Sequence, residues 1–348
     1  MDPLPGYEAA HSGLALAART DRARLRVTGR DPFAMLQGVL TNRVPEPAVP
    51  APEGGTRGRA LYAAVLTPKG KLVADARVLR GPRDEEQGLL LDVPAAAVAG
   101  LLEHLARYLP PRLARAADAS ADSVQLTVAG RGASAWLARD ALGLRIESGA
   151  LDALTEGEWV WLDAGGAGIL VIRSAELAAP AFDVIADAQT AASLSRLATA
   201  AGAVALAPEA LALLRIEAGR PAWGRELDAD TLPPEAGIEG RAIDHTKGCY
   251  TGQEVIVRIR DRGHVNRRLR GLLIGAAAVP APGAELWVKG RDRAVGAVTS
   301  AAFSPGAGQG LALGYVRREL EVPGEAYLGG PDGPVVRVVE LGEEWWRR

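Results

Sequence analysis

The sequence predicts an α+β protein that closes in a small all-β domain. Three observations carry this. Between residues 25 and 218, short apolar runs alternate with segments of helical periodicity. After Leu269 the apolar runs stay short, are punctuated by glycine and proline, and carry little helical signal. The 348 residues, 48% hydrophobic and 24% charged, have a globular composition and the length of two or three domains.

The elements follow in order. Leu25-Arg-Val27 is the first apolar run. Asp31-Pro32 sets a capping carboxylate before a proline at the first helical position, which predicts a helix reaching Leu40. Residues 44–58 are rich in proline and glycine and read as a loop. Residues 59–66 and 71–80 read as strands joined by Thr67-Pro-Lys-Gly70, whose proline and glycine suit a type I turn. A strand over 88–93 precedes a helix over 94–109, where Val98, Leu101, Leu102 and Leu105 recur at helical spacing until Pro110-Pro111. The stretch 123–203 predicts strands over 124–128, 159–162, 169–172 and 182–185, with helices over 133–142 and 191–201. Gly165-Gly-Ala-Gly168 reads as a hairpin turn. Pro208 opens a further helix and Gly219 lies just past its end. Residues 220–241 read as an ordered loop, 254–260 as a strand, and 343–348 as a loosely held tail.

A formal net charge of −2 argues against a surface coated in base, so direct nucleic-acid binding is not expected. Cys249 is the single cysteine, which excludes an intrachain disulfide and fits a reducing compartment. No apolar stretch approaches the ~18 residues of a membrane span, and no signal segment is evident at the start. The expectation is a cytoplasmic protein without a membrane partner. The histidines show no metal-ligand spacing, and no metal site is expected.

Asp244-His-Thr-Lys-Gly-Cys-Tyr-Thr-Gly-Gln-Glu254 carries the densest chemistry. Gly248 and Gly252 permit a tight backbone path close to a ligand. Lys247, two residues before Cys249, favours a thiolate if it folds nearby; a glycine-punctuated loop with a buried, inert thiol fits the same residues. In the expected strand that follows, Val255, Val257 and Ile259 face one side, and Arg258 and Arg260 the other. With Arg262, Arg267, Arg268 and Arg270 they form a row able to hold carboxylates or phosphates, or a solvated edge kept from aggregating by charge. If Pro68-Lys69 is the tip of the earlier hairpin, Tyr62 falls opposite Asp75. A hydroxyl beside a carboxylate can grip a flat heterocycle with an ionisable nitrogen, and equally fits a surface aspartate near a half-buried tyrosine.

Lys247-Gly-Cys-Tyr-Thr-Gly-Gln-Glu254 resembles the signature of the YgfZ family, relatives of the aminomethyltransferases of the glycine cleavage system. Leu25-Arg-Val-Thr-Gly-Arg-Asp31, Phe33-Ala-Met-Leu-Gln-Gly-Val-Leu-Thr-Asn42 and Leu214-Arg-Ile-Glu-Ala-Gly219 are similar to further family elements. The resemblance implies a three-lobed, GcvT-like α+β fold with a C-terminal β-barrel. Residues 14–260 would form the folate-binding region, as two lobes of about 14–118 with 205–260 and about 120–203, and 264–342 the barrel. It implies tetrahydrofolate near the centre, with Tyr62 and Asp75 on the hairpin, Glu217 near the pterin and Arg258 available to the acidic tail. Of the family's adjacent aspartates, the first is replaced by Ala74. Asp75 would orient the folate, and Cys249, activated by Lys247, would handle a sulphur or cluster intermediate. The function implied is support of iron–sulphur cluster assembly or repair, with iron–sulphur proteins as partners, including enzymes that modify tRNA. The alternatives are an aminomethyltransferase of the glycine cleavage system and an RNA-binding module.

Overall fold

The computed structural model describes residues 4–52, 55–82, 88–139, 146–164, 167–275 and 279–347. Two sheets and a barrel organise it. The larger sheet has eight strands, in the order Val204–Ala205, Ala15–Ala18, Val124–Ala129, Ala181–Ala186, Ala167–Ser174, Glu158–Ala164, Thr56–Arg59 and Val49–Pro50. The second has five: Leu61–Leu66, Leu72–Arg80, Leu89–Pro94, Arg22–Thr28 and Arg115–Asp118. Six strands between Arg267 and Val339 close into a barrel, Arg267–Ile274 pairing with both Gln309–Arg317 and Val335–Val339. The α+β fold with a terminal β-barrel is therefore the observed one.

Each sheet buries one face under helices. Ala133–Arg139 and Ala188–Ala200 cover the larger sheet, where Trp136, Leu137 and Leu194 meet Phe182 and Val184. Val98–Tyr108 covers the smaller sheet through Leu101 and Leu105, the periodic positions of the sequence. The two sheets meet through Ala60, Leu79, Trp159, Ile172 and Ile185. The expected helix over 133–142 is described to Arg139, and residues 140–142 lie outside the described residues, as do Gly165 and Gly166 of the expected hairpin turn.

Three expectations are corrected. The single strand over 59–66 is two strands in different sheets, with Ala60 as the crossing point; its amide donates to Gly157 O at 2.8 Å, one step beyond the Arg59–Glu158 pair of the larger sheet, before the chain enters the smaller one. The strand over 254–260 is a helix, Gln253–Arg262. Gly252, at φ +85°, turns the chain into that helix from the left-handed region. Val255 and Ile259 lie one turn apart beside the buried Ile256, so the β-branched run packs as a helical stripe. A short apolar run fits both periods, and tertiary packing decides. The tail expected over 343–348 is held through residue 347, with 348 outside the described residues: Trp345 is fully buried and its indole N–H donates to Ile216 O at 3.2 Å.

Candidate active site

The hairpin Leu61–Leu66 and Leu72–Arg80 builds one wall of the site. Its tip is wider than the two-residue loop expected. Gly70 sits at φ +75°, Gly70 N donates to Thr67 O, and Thr67 N donates to Lys71 O. A bulge between Val65 and Leu66 shifts the register once more, so Tyr62 opposes Arg77, and Asp75 opposes Ala64. The two shifts together move the pairing by two residues, which preserves the face. Tyr62 and Asp75 are thus diagonal neighbours, and the Tyr62 hydroxyl donates to Asp75 Oδ2 at 3.1 Å. Asp75 Oδ1 is buried without a hydrogen-bond partner.

Beside the hairpin, where the chain crosses sheets at Ala60, a cavity of about 750 Å³ opens between the two sheets. Tyr62, Asp75, Asn42, Trp223, Glu176 and Arg241 line it. Burial pushes the Asp75 carboxyl above the ordinary carboxylate range; Arg22 opposes this and Glu176 reinforces it. Burial also pushes the Tyr62 hydroxyl well up, with the charge of Asp75 adding to it, so it remains a donor. Glu176 behaves oppositely to Asp75. Burial works against its charge, but Arg241, bonded at 2.7 Å, holds its carboxyl down at about 2. Arg241 also pairs with Glu156 and lies 4.7 Å over the Tyr62 ring. One cavity therefore holds a carboxyl biased towards its neutral form and a carboxylate fixed as an anion.

An ionic ladder stiffens the wall. Arg22 Nε donates to Asp92 Oδ1 at 2.8 Å, and Arg77 donates to Asp92 Oδ2 at 2.6 Å and to Asp183 Oδ2 at 2.8 Å. Thr127 completes the Asp183 shell at 2.7 Å. Burial opposes the charge of Asp92, but its two arginines hold it down at about 2. These residues are satisfied by one another, so they frame the cavity and leave Asp75 as its under-bonded carboxyl.

The other residues singled out in the sequence lie elsewhere. Lys247 is buried, and its ammonium donates to three backbone carbonyls. Cys249 is exposed and does not line the cavity. Glu217 is buried against the barrel, accepting from Tyr7 at 2.7 Å and Ser304 at 2.6 Å, and is not part of the lining. Arg258 is exposed on its helix, paired with Glu254 at 2.8 Å. The cysteine loop does meet the hairpin, but at the tip, where Gly252 abuts Thr67 O and Val255 abuts Gly70. The cavity opens at the hairpin's far end. The arginine row does not form one surface, because Arg258–Arg262 is helical and Arg267–Arg270 is strand.

Sequence reasoning missed Glu176, Arg241, Arg22 and Asn42. Period-two alternation from Asp75 would have flagged Arg77. Nothing local marks Glu176 or Arg241, which are brought in from a distant loop and the short helix Glu239–Ala242.

Two sheets enclosing a small-molecule-sized cavity rich in buried charge, with a barrel behind them, define an α+β protein with a central ligand site. Residues 7–247 match the GCVT N-terminal domain and residues 267–337 the glycine cleavage T-protein C-terminal barrel domain. The chain belongs to this glycine cleavage T-protein family. It is 29% identical over 315 residues to the aminomethyltransferase of Rubrobacter xylanophilus, covering 90% of this chain and 79% of that protein. It is 28% identical over 298 residues to the aminomethyltransferase of Moorella thermoacetica, covering 84% and 75%. In fold it resembles the crystal structure of the glycine cleavage system aminomethyltransferase T of Bartonella henselae, with a TM-score of 0.80 at 18% identity, covering 99% of this chain and 89% of that one. These relatives correct the expected role in iron–sulphur cluster assembly or repair: their shared activity is aminomethyl transfer, and it is the alternative reading that they favour. Among the described residues no helix is long and apolar enough to cross a membrane.

Proposed function

We propose that this chain is an aminomethyltransferase of the glycine cleavage type that binds tetrahydrofolate in the central cavity. The observation that carries this is Asp75 Oδ1, a buried carboxyl oxygen without a partner at the wall of a 750 Å³ cavity. An unpaired carboxyl oxygen in the wall of a ligand-sized cavity is a ready partner for a polar ligand atom. The residues fit a reduced pterin: Tyr62 and Trp223 offer aromatic walls, and Asp75 and Glu176 offer carboxyls to ring nitrogens. Tetrahydrofolate supplies the amine nitrogen that accepts the one-carbon unit.

The chain's own residues then divide the work. Tyr62 donates to Asp75 Oδ2 and leaves Oδ1, buried in the cavity wall, without a bond of its own. With its proton affinity raised by burial, Asp75 Oδ1 holds or takes a proton at the reacting amine. Glu176, anchored by Arg241, keeps a fixed negative charge that stabilises a developing cation nearby. The two sheets exclude water from the interior face of the cavity.

The finer placement on the YgfZ branch rests on residues 247–254 alone, and a cytoplasmic location fits the single thiol. The activity test is methylene transfer from an aminomethyl-lipoyl carrier protein to tetrahydrofolate, alongside a tetrahydrofolate titration. Binding together with turnover supports the proposal. Binding without turnover leaves the folate site and removes the transferase.

A further inference from the structure

Lys247 is buried at 8% exposure, yet among the described residues no carboxylate bonds its ammonium. Nζ donates instead to the carbonyls of Gln37 at 2.7 Å, Leu40 at 2.5 Å and Asn42 at 3.0 Å. An ammonium has three N–H donors, and this cage uses all of them. The Tyr250 ring closes one side, its centroid 5.3 Å from Nζ. The caged segment reaches the cavity. Asn42 lines it, and Asn42 Nδ2 donates to Tyr62 O at 3.0 Å and Arg241 O at 3.2 Å. Tyr62 and Arg241 are the residues that hold Asp75 and Glu176.

We infer that Lys247 is a positioning residue for the cavity: its ammonium gathers three carbonyls of residues 37–42 and so sets the Asn42 amide that fixes Tyr62 and Arg241. Only a three-donor cation of this size completes the cage. A neutral amine leaves one carbonyl unpaired, and methionine leaves three. Thr41 assists from the same segment, its hydroxyl donating to Ala242 O at 2.6 Å, so two side chains from opposite directions lock one turn.

The geometry makes the cavity sensitive to alkali. Burial draws the Lys247 ammonium down to about 8, while Asp244 opposes this. Of the groups that face it, the Tyr250 hydroxyl is pushed up to about 12 by burial, and Asp244 is ion-paired to Arg43. His245 and Cys249, on the same loop, are exposed. As pH rises through about 8, the cage loses a donor, one of its three carbonyls is left unpaired, and the 37–42 segment that carries Asn42 loosens.

The test measures two quantities on the full chain across this range: tetrahydrofolate affinity, which rests on the reading under Proposed function, and amide-exchange protection of residues 38–42, which does not. In the wild type both should fall together near pH 8, affinity by roughly tenfold, the order of one charge-assisted hydrogen bond. Lys247→Met should bind roughly tenfold more weakly at neutral pH and show no alkaline step. Asn42→Ala should lose affinity similarly but keep the alkaline step in protection, because its cage is intact. A folded Lys247→Met with wild-type affinity and protection would overturn the inference. If that variant fails to fold, a wild type whose protection at 38–42 is flat through pH 8 does the same. A wild type that binds no tetrahydrofolate at any pH defeats the ligand assignment, while the exchange step still decides Lys247.

Discussion

Arg77 and Asp183 bridge the two sheets, guanidinium to carboxylate at 2.8 Å, with both side chains nearly sealed from solvent. Arg77 stands on the hairpin strand that carries Asp75, and Asp183 on the central strand Ala181–Ala186 of the larger sheet. The cavity lies where these sheets part, so the pair fixes the spacing of its walls.

Removing one partner should therefore be costly. Arg77→Met leaves Asp183 buried with its nearest cation gone, and should destabilise the protein by about 3–5 kcal/mol. A urea melt reads this as a lower midpoint at similar slope. Replacing Asp183 by leucine as well should recover part of the loss. A single variant within 1 kcal/mol of wild type would show that the bridge is dispensable.

Asp75→Asn preserves shape and abolishes the proton chemistry assigned to Oδ1. Transfer should fall by about 100-fold or more, with a smaller change in tetrahydrofolate affinity. The variant also has a stability signature. Because burial raises the folded Asp75 pKa above its ordinary 3.8, its contribution is full at acid pH and is lost as pH rises through the folded value. The asparagine variant should lack that decline, as thermal melts at stepped pH would reveal.

Glu176 should behave with the opposite sign. Its folded carboxyl titrates near 2 against an ordinary 4.5, so its contribution is present above about 4.5 and is lost as pH falls towards 2. Glu176→Gln should flatten that acid limb. The effect is modest, because 38% of its side chain faces solvent in the cavity and screening weakens the pair. The larger consequence should be functional, since Arg241 loses a partner beside Tyr62; turnover should drop more than stability.

Trp345→Ala tests the corrected tail. The side chain is fully buried against Ile216 and the barrel strands, so truncation should destabilise by about 3–5 kcal/mol. Denaturant midpoints before and after the change provide the measurement, and a neutral result would return residues 343–347 to the status of a loose tail.

Much of this architecture is readable in the chain. Asp31-Pro32 does cap a helix, with Ala34 N donating to the Asp31 side chain, and Leu101 and Leu105 do face a core. Tyr62 and Asp75 meet for a reason only half visible in sequence: parity survived while the register moved by two, because a glycine at the tip and a bulge each added one residue. Helix 253–262 was hidden because β-branched residues at consecutive positions satisfy either period until Ile256 finds its pocket. Glu176 and Arg241 were invisible for a different reason. An ion pair whose partners stand 65 residues apart leaves no local pattern.

Ala60 offers a practical handle. It is the lone residue between strands of separate sheets, it is buried at 5%, and it borders the cavity. Movement of one sheet against the other reaches this single-residue crossing directly. An isotopically labelled methyl at this alanine would thus act as a built-in spectroscopic gauge of closure, requiring no attached dye.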